Sequence, residues 1–243
     1  MEYTLTQPIP TSKLEDITLD ELKIYYKKYR AGIGKRLMEF QEVLKASEDR
    51  IFGELCFCIL TPQSNARLCD RALGELFSNE TSFQPKIHRE RIEEALHGVR
   101  FRRKKAGYIL NAWERFTYEG GELSIKKEMT QKLATLRDNR ALRDWFRGEM
   151  KGNGIGLKEA SHFLRNIGLG KDLAILDRHI LSCLEELRAL EGALNPASKA
   201  KGITETQYRG LEEIARTFSK EVGIPMIELD LLLWSARTGY IFK

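Results

Sequence analysis

Met150-Lys151-Gly152-Asn153-Gly154-Ile155-Gly156-Leu157-Lys158-Glu159-Ala160 is the stretch on which the fold turns. Three glycines in five residues allow a sharp turn whose backbone N–H groups are unshielded by side chains. Before it, Leu142, Trp145 and Phe146 fall on one face of a helix. After it, Leu157, Ala160, Phe163, Leu164 and Ile167 form the apolar stripe of another, while Lys158, His162 and Arg165 recur at i, i+4 and i+7 on a different face. Amides at the start of such a helix suit a phosphate. Alone, a Gly-x-Gly is more often a plain helix–helix connection, and a nearby lysine is usually solvated.

Outward from this hairpin the pattern stays helical from Leu19 onward. Over 42–60 the apolar residues first recur at helical spacing and then run together as Leu55-Cys56-Phe57-Cys58-Ile59-Leu60. That run alone suits a strand, but its length with the preceding turns favours a buried helix. Thr61-Pro62 ends it, and Ser64 or Asn65 can cap a helix reaching about Phe77. Further helices are expected over 89–97, 104–118, 130–135, 140–150, 157–167, 178–190, 205–222 and 225–238. Runs alternating at period two are nearly absent, so the fold is expected to be all-α. Pro8 and Pro10 suggest a loose N-terminal arm, and 192–203 reads as the longest internal loop.

Composition sets bounds. The chain has 243 residues, 42% hydrophobic and 31% charged, as in an ordinary globular protein. A net charge of +5 and a pI near 8.9 are compatible with a polyanionic partner without requiring one. No apolar run approaches the ~18 residues of a membrane span, and no signal peptide is visible at the start. A cytoplasmic, nucleoid-associated location is expected, with no membrane partner. Cys56, Cys58, Cys69 and Cys183 form no Cys-x-x-Cys pair, and the first three read as small buried residues of one helical stretch. They do not offer the grouped thiolates of an iron–sulfur cluster, so no structural metal is expected.

Two further segments carry polar residues in informative places. Asp177 follows the apolar run Leu173-Ala174-Ile175-Leu176 and opens the next helix. An N-cap role explains it without chemistry. Arg100-Phe101-Arg102-Arg103-Lys104-Lys105 is a basic run interrupted by one aromatic, equally a solvated helix start or a DNA contact.

Taken together, these residues resemble the helix–hairpin–helix DNA glycosylase superfamily, to which endonuclease III belongs. Its signature is a Gly-Val/Ile-Gly hairpin followed by a lysine and, further on, an aspartate; Gly154-Ile155-Gly156, Lys158 and Asp177 fit, with 19 residues from lysine to aspartate. The similarity is closer still to the archaeal-type (type 2) 8-oxoguanine DNA glycosylase/AP lyases. The blocks that carry it are Glu54 to Thr61, Lys158 to Asn166 and Leu176 to Leu181, continued by Glu228-Leu229-Asp230, Trp234 and Arg237-Thr238-Gly239. It runs from about Phe52 to Lys243; the first fifty residues carry none of it. Pro62-Gln63-Ser64-Asn65 departs from the pattern and looks more like the endonuclease III branch.

The resemblance implies an enzyme that excises 8-oxoguanine from double-stranded DNA and cleaves the backbone at the abasic site. A glycosylase must extrude the damaged nucleotide before chemistry reaches C1′. Lys158 would attack C1′ and form a Schiff base, from which the 3′-phosphate is eliminated. At a reference pKa of ~10.4 only about 0.04% of a free lysine is neutral at pH 7, so Asp177 would help remove the proton and stabilise charge on the sugar. Phe101 and Trp234 would enclose the flipped base, although core packing is the commoner fate of an aromatic. Gln63 would enter the helix beside it, or else cap its own loop. Gly154, Gly156 and His179 would meet DNA phosphates, and Arg103 is the residue of the basic run expected to contact DNA. Lys243, ordinarily a frayed end, falls nine residues after Trp234 where the family places a base-reading lysine.

Two helical subdomains are expected: 51–168 as a helical barrel with the hairpin, and 1–50 with 169–243 as the other. Their cleft would bring Lys158 from one side and Asp177 from the other. No cofactor is required, and the protein is expected to act as a monomer. Two rivals stand beside this reading. One is a glycosylase for another damaged or mismatched base. The other is a non-catalytic helix–hairpin–helix DNA-binding module, which gives no reason for both Lys158 and Asp177.

Overall fold

The computed structural model describes residues 3–77, 89–118, 121–193 and 202–243, so the loop expected over 192–203 lies mostly outside it. The helices are α1 (Leu19–Val43), α2 (Glu48–Leu60), α3 (Ala66–Phe77), α4 (Arg89–Ala95), α5 (Arg102–Arg115), α6 (Ile125–Leu136), α7 (Asn139–Glu149) and α8 (Leu157–Asn166), then α9 (Arg178–Glu186), α10 (Glu205–Val222) and α11 (Met226–Thr238). Two short strands, β1 (Ile9–Pro10) and β2 (Tyr240–Ile241), complete the described elements. The expected all-α class holds. The chain divides into two compact units, Met1–Thr6 with Phe40–Leu169, and Gln7–Glu39 with Gly170–Lys243.

The first unit is built around α2. Ser47 accepts from the Arg50 amide at its start, and Glu48 and Asp49 put negative charge on the positive end of the helix dipole. Every residue from Ile51 to Leu60 is buried, which settles the ambiguous run as a helix. A helix apolar on all sides must be enclosed by others; α3, α5, α6 and α8 pack around it. Asn65 caps α3, its Oδ1 accepting from the Leu68 amide at 3.1 Å. Phe146 of α7 stacks on Phe163 of α8 at 4.5 Å, so the helices flanking the glycine hairpin share an aromatic contact. Helix α6 begins at Ile125, five residues before the expected 130, because Glu48 accepts from the Lys126 and Lys127 amides at 2.6 and 3.1 Å.

The polar residues of α8 are enclosed: His162 and Arg165 are buried with the apolar ones. The His162 ring meets Phe57 edge-on, and Arg165 lies over Phe40 and donates to Asn166 Oδ1. Asn166 in turn donates to Glu54, which pairs with Arg50 at 2.9 Å. Such internal partners are what make a buried polar chain tolerable.

One expectation is overturned here: the N-terminus is not a loose arm. Tyr3 is buried; its hydroxyl donates to Asp70 at 2.7 Å and its ring stacks on Phe77, while the Thr6 amide donates to the other Asp70 oxygen. Burial, with the Glu54 and Asp70 carboxylates nearby, pushes the Tyr3 hydroxyl well above its usual range.

In the second unit β1 pairs antiparallel with β2, Ile9 opposite Ile241 and Pro10 opposite Tyr240. Both strands cross α1 at Gly32, where a Cβ would sit 3.1 Å from the Ile241 side chain. Tyr25 donates to the Ser12 carbonyl, and Arg237 of α11 donates to the Glu15 carbonyl. Helix α10 opens on Thr204 and Gln207, which accept from each other's amides. Its end at Gly223 is left-handed, and Pro225 directs the chain into α11, which packs on α9.

Candidate active site

The hairpin between α7 and α8 needs its glycines. Gly152 and Gly154 have φ of +84° and +75°, the left-handed region open to glycine, and a Cβ on Gly154 would stand 2.8 Å from the Tyr108 ring. Asn111 of α5 donates to Asn153 Oδ1 at 2.8 Å and fixes the turn from the side. The Gly154 and Ile155 amides find no acceptor among the described residues, and the first-turn amides of α8 lie just beyond them. An anion is the group such a concentration of donors suits.

Lys158 is the second residue of α8, half-buried with 23% of its side chain exposed. Glu159 serves two neighbours: Oε2 accepts from the Gly156 amide at 3.1 Å, and Oε1 pairs with Lys158 Nζ at 2.9 Å. Sequence reasoning gave Glu159 no part. A glutamate three residues after a glycine N-cap is the signal that marks it.

Gln63 and Phe101 sit on two turns of the same unit, both left-handed, with φ of 55° and 60°. That conformation costs a residue with a side chain about 1–2 kcal/mol. Gln63 is exposed and Phe101 is 52% exposed, its ring covered on one side by the Arg100 guanidinium at 4.9 Å. An open hollow of about 690 Å³ is lined by His97, Phe101, Arg102, Arg103 and Lys104 among others. Arg103 is 82% exposed there, 3.8 Å from Glu93.

The basic run divides, because Lys105 turns inward and is buried. Its Nζ donates to the Leu60 carbonyl at 2.6 Å, the Pro62 carbonyl at 2.8 Å and Ser64 Oγ at 3.0 Å. Burial, with the positive charges of Lys158 and Arg100, brings its pKa down to about 8. All four cysteines are buried thiols, divided between α2, α3 and α9, and burial pushes Cys69 up to about 12 and Cys183 to about 11.

In the second unit Asp177 is the N-cap of α9: Oδ1 accepts from the His179 and Ile180 amides at 2.8 and 2.9 Å. Its Oδ2 has no hydrogen-bond donor among the described residues. The buried segment before it is pinned by α10, where Glu212 accepts from the Ala174 amide and Tyr208 donates to the Ala174 carbonyl at 2.7 Å. Tyr208 and Glu212 hold Asp177's approach, and nothing local in the sequence announces them. His179, half-buried, is the second residue of α9. Trp234 of α11 meets Tyr240 edge-on at 5.3 Å, and Tyr240 meets Phe242 likewise at 6.0 Å. Lys243 is 4% exposed and not frayed. The structure thus gathers Gly154, Gly156 and Lys158 on one hairpin, and Gln63, Phe101 and Arg103 around the starts of α3 and α5. Asp177, His179, Trp234 and Lys243 belong to the other unit.

A glycine hairpin that opens onto unclaimed amides and leads into a lysine-bearing helix is the hallmark of the helix–hairpin–helix DNA glycosylase class, and the all-α surround agrees. A family profile described as 8-oxoguanine DNA glycosylase matches residues 33–224. An 8-oxoguanine DNA glycosylase/AP lyase of Fusobacterium nucleatum is 36% identical over 225 residues, covering 92% of this chain and 97% of its own. The enzyme of that name from Methanocaldococcus jannaschii is 35% identical over 233 residues, 95% of this chain and 98% of its own. Among solved structures, that of the M. jannaschii 8-oxoguanine glycosylase/lyase in complex with a 15mer DNA containing 8-oxoguanine superposes with a TM-score of 0.76 at 34% identity, covering 93% of this chain and 99% of the other. The 8-oxoguanine DNA glycosylase of Thermotoga maritima gives 0.75 at 29% identity, over 93% and 98%. The chain belongs to the 8-oxoguanine DNA glycosylase family. The similarity reaches into the first fifty residues, since an alignment covering 95% of this chain leaves only about 12 of its 243 residues outside it.

Proposed function

We propose that this protein excises 8-oxoguanine from double-stranded DNA and then cleaves the strand at the abasic site, with Lys158 as the nucleophile for both steps. The observation that carries the reading is that Lys158, the second residue of α8, follows three residues after the Ile155 amide, which has no acceptor among the described residues. An ammonium paired with Glu159 has no lone pair to give, so that pair opens and a proton leaves before attack. Nζ then bonds to C1′, and the N-glycosidic bond breaks with its electrons going to the base, which takes up a proton. The adduct opens to an iminium; loss of a C2′ proton expels the 3′-phosphate, and water releases the lysine.

Asp177 is the group that accepts the lysine's proton and offsets positive charge on the sugar. Its cap geometry supports the role, because Oδ1 fixes the carboxylate and leaves Oδ2 for chemistry. Phe101 and Trp234 stack on the extruded base, Lys243 reads it, and Gln63 fills the space it leaves. Gly154, Gly156, Arg103 and His179 hold phosphates. No helix among the described residues is long and apolar enough to cross a membrane.

The test is borohydride trapping on a duplex containing 8-oxoguanine. The protein is expected to cross-link, and Lys158→Gln to lose the cross-link while retaining DNA binding. A Lys158→Gln protein that still cross-links overturns the assignment.

A further inference from the structure

Gln63 and Phe101 share a property that composition does not predict: each holds an exposed side chain on a left-handed backbone. Residues in such conformations persist only where their surroundings over-determine them. The surroundings here are a closed circuit. Lys105 Nζ donates to the Pro62 carbonyl and Ser64 Oγ, the groups immediately before and after Gln63. Ser64 Oγ also accepts from the Arg100 amide at 3.2 Å, and the Lys105 amide donates to the Phe101 carbonyl at 3.0 Å, so the same two residues bracket Phe101. The third Nζ bond, to Leu60 O, anchors the circuit to the end of α2.

We propose that Lys105 and Ser64 are positioning residues that lock the Gln63 turn to the Phe101 turn, so that the two side chains engage the duplex as one rigid pair. The proposal rests on the reading that Gln63 and Phe101 contact DNA. A lysine that merely satisfied the last carbonyls of α2 would bond to Leu60 and leave the two turns independent. The ammonium instead spends two of its three protons around Gln63, and Ser64 adds the bond to the other turn. Rigid presentation matters because extrusion needs the wedge and the stacking wall in place together, before the base has anywhere to go.

The experiment is a double-mutant cycle read by single-turnover excision of 8-oxoguanine. Gln63→Ala and Phe101→Ala are each measured in the otherwise unchanged protein and in the Lys105→Met protein, with thermal melting as the check on folding. Lys105→Met is expected to slow excision about tenfold or more, and each further alanine to add less than about twofold to that loss. Cleavage of a preformed abasic site, which has no base to extrude, is expected to fall less than about threefold. Ser64→Ala, which removes the bridging atom without burying a new group, is expected to give the same non-additivity, and it decides the matter if Lys105→Met does not fold. Losses that multiply independently, or equal losses on the two substrates, overturn the proposal. If Gln63→Ala and Phe101→Ala are silent in the otherwise unchanged protein, the DNA-contact reading itself fails, and that result is seen before either positioning residue is altered.

Discussion

Asp177→Asn separates the cap that the structure shows from the catalytic role proposed for the same side chain. The asparagine keeps an Oδ1 where the carboxylate has its own, so the bonds from the His179 and Ile180 amides survive. Asn caps helices about as well as Asp. The remaining loss is the charge at the helix N-terminus, worth about 0.3–1 kcal/mol. For a chain of this length each kcal/mol moves Tm by about 2–4 °C, so the variant should melt no more than about 4 °C low. Asp177→Ala also removes both cap bonds, a further ~1 kcal/mol. Chemistry follows a different order. Oδ2 becomes an amide that neither accepts the lysine's proton nor offsets cationic charge, and single-turnover excision should fall about a hundredfold or more in both variants. Melting curves and rates on one 8-oxoguanine duplex give both readings. Excision by Asp177→Asn within about threefold of the unaltered protein would reduce Asp177 to a helix cap and refute its part in the mechanism.

Other expectations rest on separate features. Tyr3→Phe withdraws one donor from the buried Asp70 and should cost about 1–3 kcal/mol, read as a lower Tm; an unchanged melt would mean that the N-terminal segment is not docked. Gly154→Ala puts a Cβ 2.8 Å from the Tyr108 ring at a positive φ, and should weaken DNA binding in a gel-shift titration as the hairpin distorts. Lys243→Ala should reduce excision of 8-oxoguanine far more than cleavage of a preformed abasic site, which has no base to read. Equal losses on the two substrates would remove Lys243 from base recognition.

The parts of the fold that could be read from the chain are those whose causes are local. The glycine hairpin, the start of α8 at Leu157 and the whole of α10 depend on residues within a few positions, and their bounds match the periodicity. What escaped depends on distant partners. Helix α6 starts early because a carboxylate 78 positions away caps it, and Ile9 becomes a strand residue only because Ile241 lies beside it. The basic run from Arg100 gave no sign that Lys105 alone points inward, since the carbonyls that receive it are more than 40 positions back. The burial of His162 and Arg165 was not legible, because Phe57 and Phe40 reach them from distant parts of the chain. In the candidate site, the glycine hairpin, the place of Lys158 at the start of α8 and the N-cap position of Asp177 were legible in the sequence. Glu159 had a local signal, its spacing from Gly156, whereas Ser64, Lys105, Tyr208 and Glu212 had none, because each bonds to a neighbour that only folding brings.

The division of the chain into units has a consequence for its synthesis. Residues 7–39 belong with 170–243, yet the 130 residues of 40–169 are translated between them. At about 5–20 residues per second that interval lasts roughly 7–26 s, during which α1 and Ile9 have left the ribosome without the partners that cover them. The first unit, completed by a stretch already made, can fold in that time; the second cannot begin until residues after 169 have been made. A nascent chain stalled near residue 170 should therefore resist protease over 40–169 and be cut within 7–39, and a permutant that joins the two halves of the second unit in sequence should shorten the wait.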